Sequence, residues 1–282
     1  MKLPVALIAG IAGISILLAG CGGSSPSNPF NPNTNKGYFR FVNGSADSGA
    51  VDVYVNNTKI NTSPVGYGTM TAYYGFSPGG YTIAIDATGT STPIAGIGAA
   101  SLKQSVNGGQ YVSLVLTGEQ HPAVAGDTPN LLAFTDQTYS TPTNGFAVNF
   151  HNAANVTGTA TTQLSITSAT ATQNVGSALA VGGTTGPAGI PSTFVGTNSA
   201  VTFTATPSNT AIAAATLKPD QVDPTGCSAN TLPCNSGNLS IYFIDGPAAS
   251  TSPSAPGTSG YPDGITSSQK TAMAALFDAN GT

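Results

Sequence analysis

Apolar and polar side chains alternate along this chain in short runs. YFRFVN (38–43) puts Phe39 and Phe41 on one face. AVDVYV (50–55) gathers Val51, Val53 and Val55, with Asp52 and Tyr54 opposite. NN at 56–57 is a turn signal before TKI. YTIAID (81–86) gathers Tyr81, Ile83 and Ile85, and YVSLVL (111–116) gathers Val112, Leu114 and Leu116. A period of two is the pattern of a half-buried strand. Helical periodicity is nearly absent before residue 265. Short strands separated by Gly and Pro predict a β-sandwich.

The second half restarts in the same way. GYFRFVNGSAD (37–47) aligns without gaps to GFAVNFHNAAN (145–155), which sets Asn43 against His151. QYVSLVLTG (110–118) has an echo in LSIYFIDGP (239–247), and QLSIT (163–167) and AVTFTAT (200–206) alternate between them. The expected fold class is all-β: two tandem immunoglobulin-like β-sandwich modules at 36–120 and 144–248, joined by a linker at 121–143. A Gly-, Thr- and Ala-rich stretch at about 175–198 reads as an insertion in the second module. The tail, 249–282, opens with low-complexity ASTSPSAPGTSGYPDG. Its last part, ITSSQKTAMAALFDAN (265–280), is expected to form one short helix with Ile265, Met273, Leu276 and Phe277 apolar. That helix would dock on the second module or fray; a partner-binding segment is the alternative.

The N-terminus carries an address. Met1-Lys2 precedes an apolar, small-residue run to Gly20, the make-up of a secretory signal peptide at 1–20. A retained transmembrane anchor is the alternative. Leu18-Ala19-Gly20-Cys21 resembles the bacterial lipobox. The resemblance implies cleavage before Cys21, a diacylglyceryl thioether on its sulfur and acylation of the new amine. Two or three acyl chains anchor firmly where one is marginal. The residues after Cys21, GGSSPSNPFNPNTN, carry no charge and too little apolar surface to fold alone. They read as a flexible tether, 21–35, whose 14 residues after Cys21 reach about 45–50 Å when extended.

Charge narrows the partners. Charged residues make up 6% of the chain, against about 25% in an ordinary globular protein. The net charge of −4 becomes −5 once Lys2 leaves with the signal peptide, and Arg40 is the one arginine. No basic patch exists to hold nucleic acid. With Cys21 lipidated, Cys227 and Cys234 are an even pair in CSANTLPC, expected to close a local disulfide in an oxidising envelope. A metal site would need further ligands near them, and a redox pair a tighter spacing.

RFVNGSADSGAVDVYVNN (40–57) resembles the opening strands of a bacterial envelope family catalogued as domain of unknown function 4397. GYGTMTAYYGFSPGGYTIAI (66–85) resembles that family's next segment, and SIYFIDGP (240–247) the closing strand of its second repeat. Ala46 and Gly49 stand where the family usually has prolines. The resemblance implies an exported immunoglobulin-like sandwich and no catalytic residues.

Side chains able to do chemistry are few. His121 lies in the linker and His151 ends a strand, each expected at a turn or the surface. Glu119 is the only glutamate, and no G-x-S-x-G elbow accompanies the serines. Asn43, Ser45, Asp47 and Asp52 offer oxygens for Ca²⁺, but two carboxylates are thin for that ion. Asp47 is expected to bond its own turn and Asp52 to point outward. Tyr54, Tyr67, Tyr73 and Tyr74 are expected as cross-strand pairs on a solvated sheet; glycan stacking is the alternative. No cofactor, metal or catalytic residue is expected. The reading is a lipid-anchored envelope protein, at the outer membrane or cell surface, with a structural, adhesive or ligand-presenting role, whose modules form a rigid β stalk or, as the alternative, pack together as one unit. A module binding glycan, cell-wall or surface polymer is the first alternative, and a hydrolase the second.

Overall fold

The computed structural model describes residues 35–91, 94, 102–120, 128–136, 145–155, 160–168, 171–186, 188–191, 201–209, 212, 214–217, 238–246 and 271–278. Cys21, His121, Cys227 and Cys234, with the expected signal peptide and most of the expected tether, lie outside the described residues.

Among the described residues the protein is all-β. Module 1 holds β1 (Gly37–Asn43), β2 (Val51–Val55), β3 (Thr58–Lys59), β4 (Tyr74–Phe76), β5 (Gly79–Ala87), β6 (Leu102–Val106), β7 (Tyr111–Thr117) and β8 (Asn130–Asp136). Module 2 repeats them as β9 (Gly145–Asn152), β10 (Thr162–Thr167), β11 (Thr172–Asn174), β12 (Ala188–Pro191), β13 (Thr202–Pro207), β14 (Ala215–Leu217), β15 (Asn238–Asp245) and β16 (Thr271–Asp278). Each module has two sheets, ordered β3-β2-β5-β6 and β4-β1-β7-β8 in the first, β11-β10-β13-β14 and β12-β9-β15-β16 in the second.

The expected faces close the sandwich. Phe39, Phe41, Val112, Leu114 and Leu116 pack from one sheet against Val51, Val53, Val55, Ile83 and Ile85 of the other. In module 2, Val148, Phe150, Leu239, Ile241 and Phe243 meet Leu164, Ile166, Phe203 and Ala205. Asn56 and Asn57 turn the β2–β3 hairpin with positive φ at both residues, 47° and 64°, the type I′ geometry that asparagine tolerates. An immunoglobulin constant-type sandwich is antiparallel, with strands A-B-E-D facing C-F-G. Here β1 and β7 run parallel, as do β9 and β15, so these sandwiches have their own strand order.

Three sequence expectations change. The supposed linker supplies β8, which pairs along its length with β7. The supposed C-terminal helix is instead a strand, β16, paired with β15 from Asn238↔Asp278 to Asp245↔Thr271. The open edge of β15 offers a full row of backbone partners, and such tertiary pairing overrides the helix propensity of TAMAALFD. Finally, the start of the supposed insertion is a repeat of module 1. The bridge Val42↔Met70 has its counterpart in His151↔Thr184, and Val51↔Val65 in Thr162↔Leu179.

Those bridges also correct the repeat alignment. Asn43 N donates to Thr69 O and Gly68 N to Asn43 O; Asn152 N donates to Gly183 O and Gly182 N to Asn152 O. Asn43 therefore corresponds to Asn152, not to His151, and Phe41 to Phe150. A one-residue slip reverses every side chain's face, so the ungapped alignment would have sent Asn149 into the core. Each asparagine clamps the loop that crosses its strand end. The Asn43 amide donates to Gly49 O (2.9 Å) and Val65 O (3.0 Å), and its Oδ1 accepts from Ser45 N and Ser48 Oγ. Asn152 donates to Leu179 O (2.9 Å) and accepts from Ala154 N.

The modules do not form a stalk. A third apolar cluster joins Val42, Ala46, Tyr67, Val115 and Phe134 of module 1 to Ala153, Tyr242 and Ile244 of module 2. The β4-β1-β7-β8 sheet thus buries its outer face against the outer face of β12-β9-β15-β16, giving four layers of sheet. Apolar residues on the second face of β7 and β15, Val115, Tyr242 and Ile244, drive this burial.

Replacing Asn43 with Ala leaves buried backbone groups without partners, which is expected to cost about 2–3 kcal/mol in urea unfolding. Asn152→Ala, with fewer bonds to lose, should cost less. Equal and negligible losses for both would contradict the clamp.

Candidate functional site

The polar side chains that the structure brings together lie between the two middle sheets. Arg40 projects from β1, Ser113 from β7 and Asp136 from the end of β8; His151 projects from β9 and Tyr242 from β15. Each strand places these residues on the face opposite its core residues, so alternation alone delivers them to one layer. All five are buried.

Asp136 is the hub. Its Oδ2 accepts from Ser113 Oγ (2.5 Å) and from the Tyr73 hydroxyl (2.7 Å). Its Oδ1 lies 3.8 Å from Arg40 Nη2 and 3.3 Å from His151 Nε2. Arg40 Nε donates to Ser113 Oγ (2.7 Å). With the Ser113 proton directed to Asp136, the Tyr242 hydroxyl donates to Ser113 Oγ at 2.7 Å. The guanidinium lies over the Tyr73 ring at 4.5 Å and the Tyr242 ring at 5.4 Å, within cation–π range. His151 stacks on Tyr242 with centroids 4.7 Å apart and meets Phe134 at 5.0 Å. Its Nδ1 lies 2.9 Å from Thr184 Oγ1.

Burial pushes the Asp136 carboxyl up. The Arg40 charge, His151 and the Ser113 hydroxyl outweigh it and hold the group below the ordinary carboxylate range. The result is a charged pair linked across the module boundary by the histidine. Serine, histidine and aspartate are all present, yet in the wrong order for nucleophilic catalysis. A relay needs the histidine between serine and aspartate. Here Asp136 lies between Ser113 and His151, and the serine proton goes to the carboxylate.

Other sequence candidates are placed elsewhere. His151, expected at a turn or the surface, is fully buried because Ile244, Tyr242 and Phe134 seal that face. Glu119 is buried near the end of β7. Asp47 accepts from Gln120 N (2.7 Å), tying the loop after β1 to the residues after β7. Asp52 lies on the outward face as expected, but the following loops cover it. It meets Lys59 Nζ at 2.8 Å and accepts from Asn61 Nδ2 and Gly89 N. Burial raises its carboxyl, and Lys59, Gly89 and Asn61 bring it below the usual value. The calcium set is therefore dispersed: Asn43 and Ser45 bond within one loop while Asp52 pairs with Lys59.

The tyrosines do not share a patch. Tyr67 is buried between the modules and donates to Asp245 O at 2.6 Å. Tyr73 belongs to the Asp136 hub. Tyr54 on β2 and Tyr74 on β4 are half-buried in different sheets. A second buried link, missed in the sequence, is Asp245, whose Oδ2 accepts from Thr117 Oγ1 (2.6 Å) and Gly118 N (2.7 Å) across the boundary.

Breaking a buried ion pair by removing one partner costs about 3–5 kcal/mol, so Asp136→Ala should lose that much in urea unfolding. A depressed carboxyl contributes stability above its unfolded pKa and loses it as pH falls through the folded one. The wild-type chain should therefore weaken below about pH 4. Asp136→Asn should flatten that acid slope and leave the part due to Asp52. An unchanged slope would show that Asp136 is not held as described.

Residues 37–162 match the family model described as Domain of unknown function (DUF4397). The match runs through module 1 and β9 to the first residue of β10. A comparison with curated proteins gives no match. Among solved structures, a leucine-rich repeat protein from Bacteroides thetaiotaomicron is similar at 13% identity, with a TM-score of 0.20, over 65% of this chain and 23% of its own length. A likeness at that score carries no argument about fold or role. The stretch from Gly37 to Thr162 thus matches the domain family described as Domain of unknown function (DUF4397), as its RFVNGSADSGAVDVYVNN segment implies.

Proposed function

We propose that this chain is a lipid-anchored protein of the bacterial cell envelope, held at the outer membrane or cell surface through Cys21. Its role is non-catalytic: structural, adhesive or ligand-presenting. The observation that carries the non-catalytic reading is the use made of its scarce ionisable groups. Arg40, Asp136 and His151 are engaged with one another in a dry layer, and Asp52 with Lys59. The lipobox-like Leu18-Ala19-Gly20-Cys21 and the uncharged tether after it support the anchor. A compact four-layer body following an uncharged segment rich in Ser, Asn and Pro suits presentation of a surface above a membrane.

Binding of a glycan, cell-wall or surface polymer is the second reading. One feature favours it: a shallow groove of about 200 Å³ lined by Asn61, Ser63, Pro64, Thr69, Thr71 and Tyr74. Its hydroxyls and the Tyr74 ring suit a neutral polar ligand, while the Asn61 amide is already bonded to Val53 N and Ser63 O.

Intact mass and membrane fractionation of the chain made in its native cells test the anchor. The expected result is a mature chain beginning at Cys21 with a diacylglyceryl adduct, and its release in soluble form by Cys21→Ser. An unlipidated wild-type chain would overturn the reading. The same spectra, before and after reduction, should differ by two hydrogens for a Cys227–Cys234 disulfide.

A further inference from the structure

The middle sheet of module 2 repeats the Arg40 hub by position. The ladder pair Arg40↔Ser113 of β1 and β7 has its counterpart in Asn149↔Ser240 of β9 and β15. The pair Tyr111↔Asp136, which sets the hub carboxylate at the end of β8, has its counterpart in Asn238↔Asp278 at the end of β16. Gly44 N donates to Leu116 O and Ala153 N to Phe243 O, both at 2.8 Å, which fixes the same register independently. Module 2 thus keeps the serine and the aspartate, at Ser240 and Asp278. Where module 1 has its guanidinium, module 2 has the short neutral amide of Asn149.

That amide is buried and unsatisfied. Asn149 is 1% exposed, and neither its Oδ1 nor its Nδ2 makes a hydrogen bond. Two residues from His151 on the same strand, it shares the face turned to module 1. The modules meet reciprocally. A Cβ on Gly44 would lie 2.7 Å from Ile244 Cγ2, and in the matching place the Thr117 hydroxyl meets the Ala153 carbonyl. The residues that serve the Arg40 hub from across the boundary, His151 and Tyr242, therefore correspond to Val42 and Val115, which bring no polar atom. A buried amide without partners is costly. An apolar side chain would serve this layer better unless the amide has a ligand.

We propose that the Asn149 position binds a small monovalent cation, sodium or potassium, through the Asn149 carbonyl oxygen and the Ser240 hydroxyl, at the place where module 1 holds the Arg40 guanidinium. Register sets Asp278 at the position of the balancing carboxylate. The donor set chooses the ion. Amide, hydroxyl and carboxylate oxygens suit hard cations, and one carboxylate balances one positive charge. Among the described residues no group of three or more His, Cys, Asp or Glu side chains converges, so Ca²⁺, which takes six to eight oxygens and several carboxylates, is poorly served. A free guanidinium is served no better, because the Tyr242 ring that Arg40 lies against is replaced at the matching position by Val115. The site is independent of the lipid anchor and of any ligand at the outer surface.

The test is thermal unfolding of the chain from residue 21 onward with Cys21→Ser, at constant ionic strength. Sodium or potassium chloride replaces tetramethylammonium chloride, whose cation is too large for the site. The midpoint is expected to rise and saturate, by about 3–6 °C at a tenfold excess over the dissociation constant. Asn149→Arg, which restores the guanidinium of module 1, should raise the midpoint in tetramethylammonium and abolish the response to sodium and potassium. Equal midpoints for the wild-type sequence in all three salts would overturn the proposal, as would an Asn149→Arg chain that responds as before. Should that variant fail to fold, crystals of the wild-type sequence grown with thallium(I) in place of potassium decide. An anomalous peak beside Asn149 Oδ1 supports the site; water alone there overturns it.

Discussion

A sheet with water on neither face must find a partner for every polar side chain it carries into the dry layers. The β4-β1-β7-β8 sheet meets much of that demand by pressing its second face onto the matching sheet of module 2, where the buried Asn149 amide is nevertheless left without a hydrogen bond. Arg40, Ser113 and Asp136 complete one another there, and His151 and Tyr242 supply the remaining groups from across the boundary. Remove module 2 and a paired but uncovered charge cluster faces solvent beside Val42, Val115 and Phe134. The packing of the modules therefore follows from what the central strands carry.

This burial explains how so few charges suffice. The outer faces are dressed with Thr, Ser, Asn and Gln, while carboxylates such as Asp136 and Asp245 serve as interior connectors. Asp245 binds the end of β7 through Thr117 and Gly118, and Tyr67 binds the Asp245 carbonyl. The boundary has a polar anchor at each end and an apolar middle. Polar and apolar contacts thus hold the two middle sheets face to face.

Most core strands were legible from alternation. Phe39, Phe41, Val53, Ile83 and Leu114 point where a period of two sends them. The stacked faces were less legible, although a signal existed: LVL in β7 and IYFI in β15 run apolar through both faces, the mark of a strand covered on two sides. The sequence ambiguity lay in what covered them. NLLAFTD in β8 has too brief an alternation to stand out from the turn residues before it. TAMAALFD in β16 reads as helical because alanine favours helices, and only the open edge of β15 makes it a strand. His151 looked superficial because a gapless alignment set it against Asn43; the hydrogen bonds of Asn152 reveal the slip. The Asp136 hub gathers residues from five strands far apart in sequence, so no local spacing announces it.

The central claim is that the two modules pack face to face. Small-angle X-ray scattering on the soluble Cys21→Ser chain tests it most directly. The account predicts a single-peaked distance distribution and a radius of gyration for the folded body near about 18 Å, the value for one compact unit of this length. A two-humped distribution with a clearly larger radius, as for beads joined end to end, would contradict it.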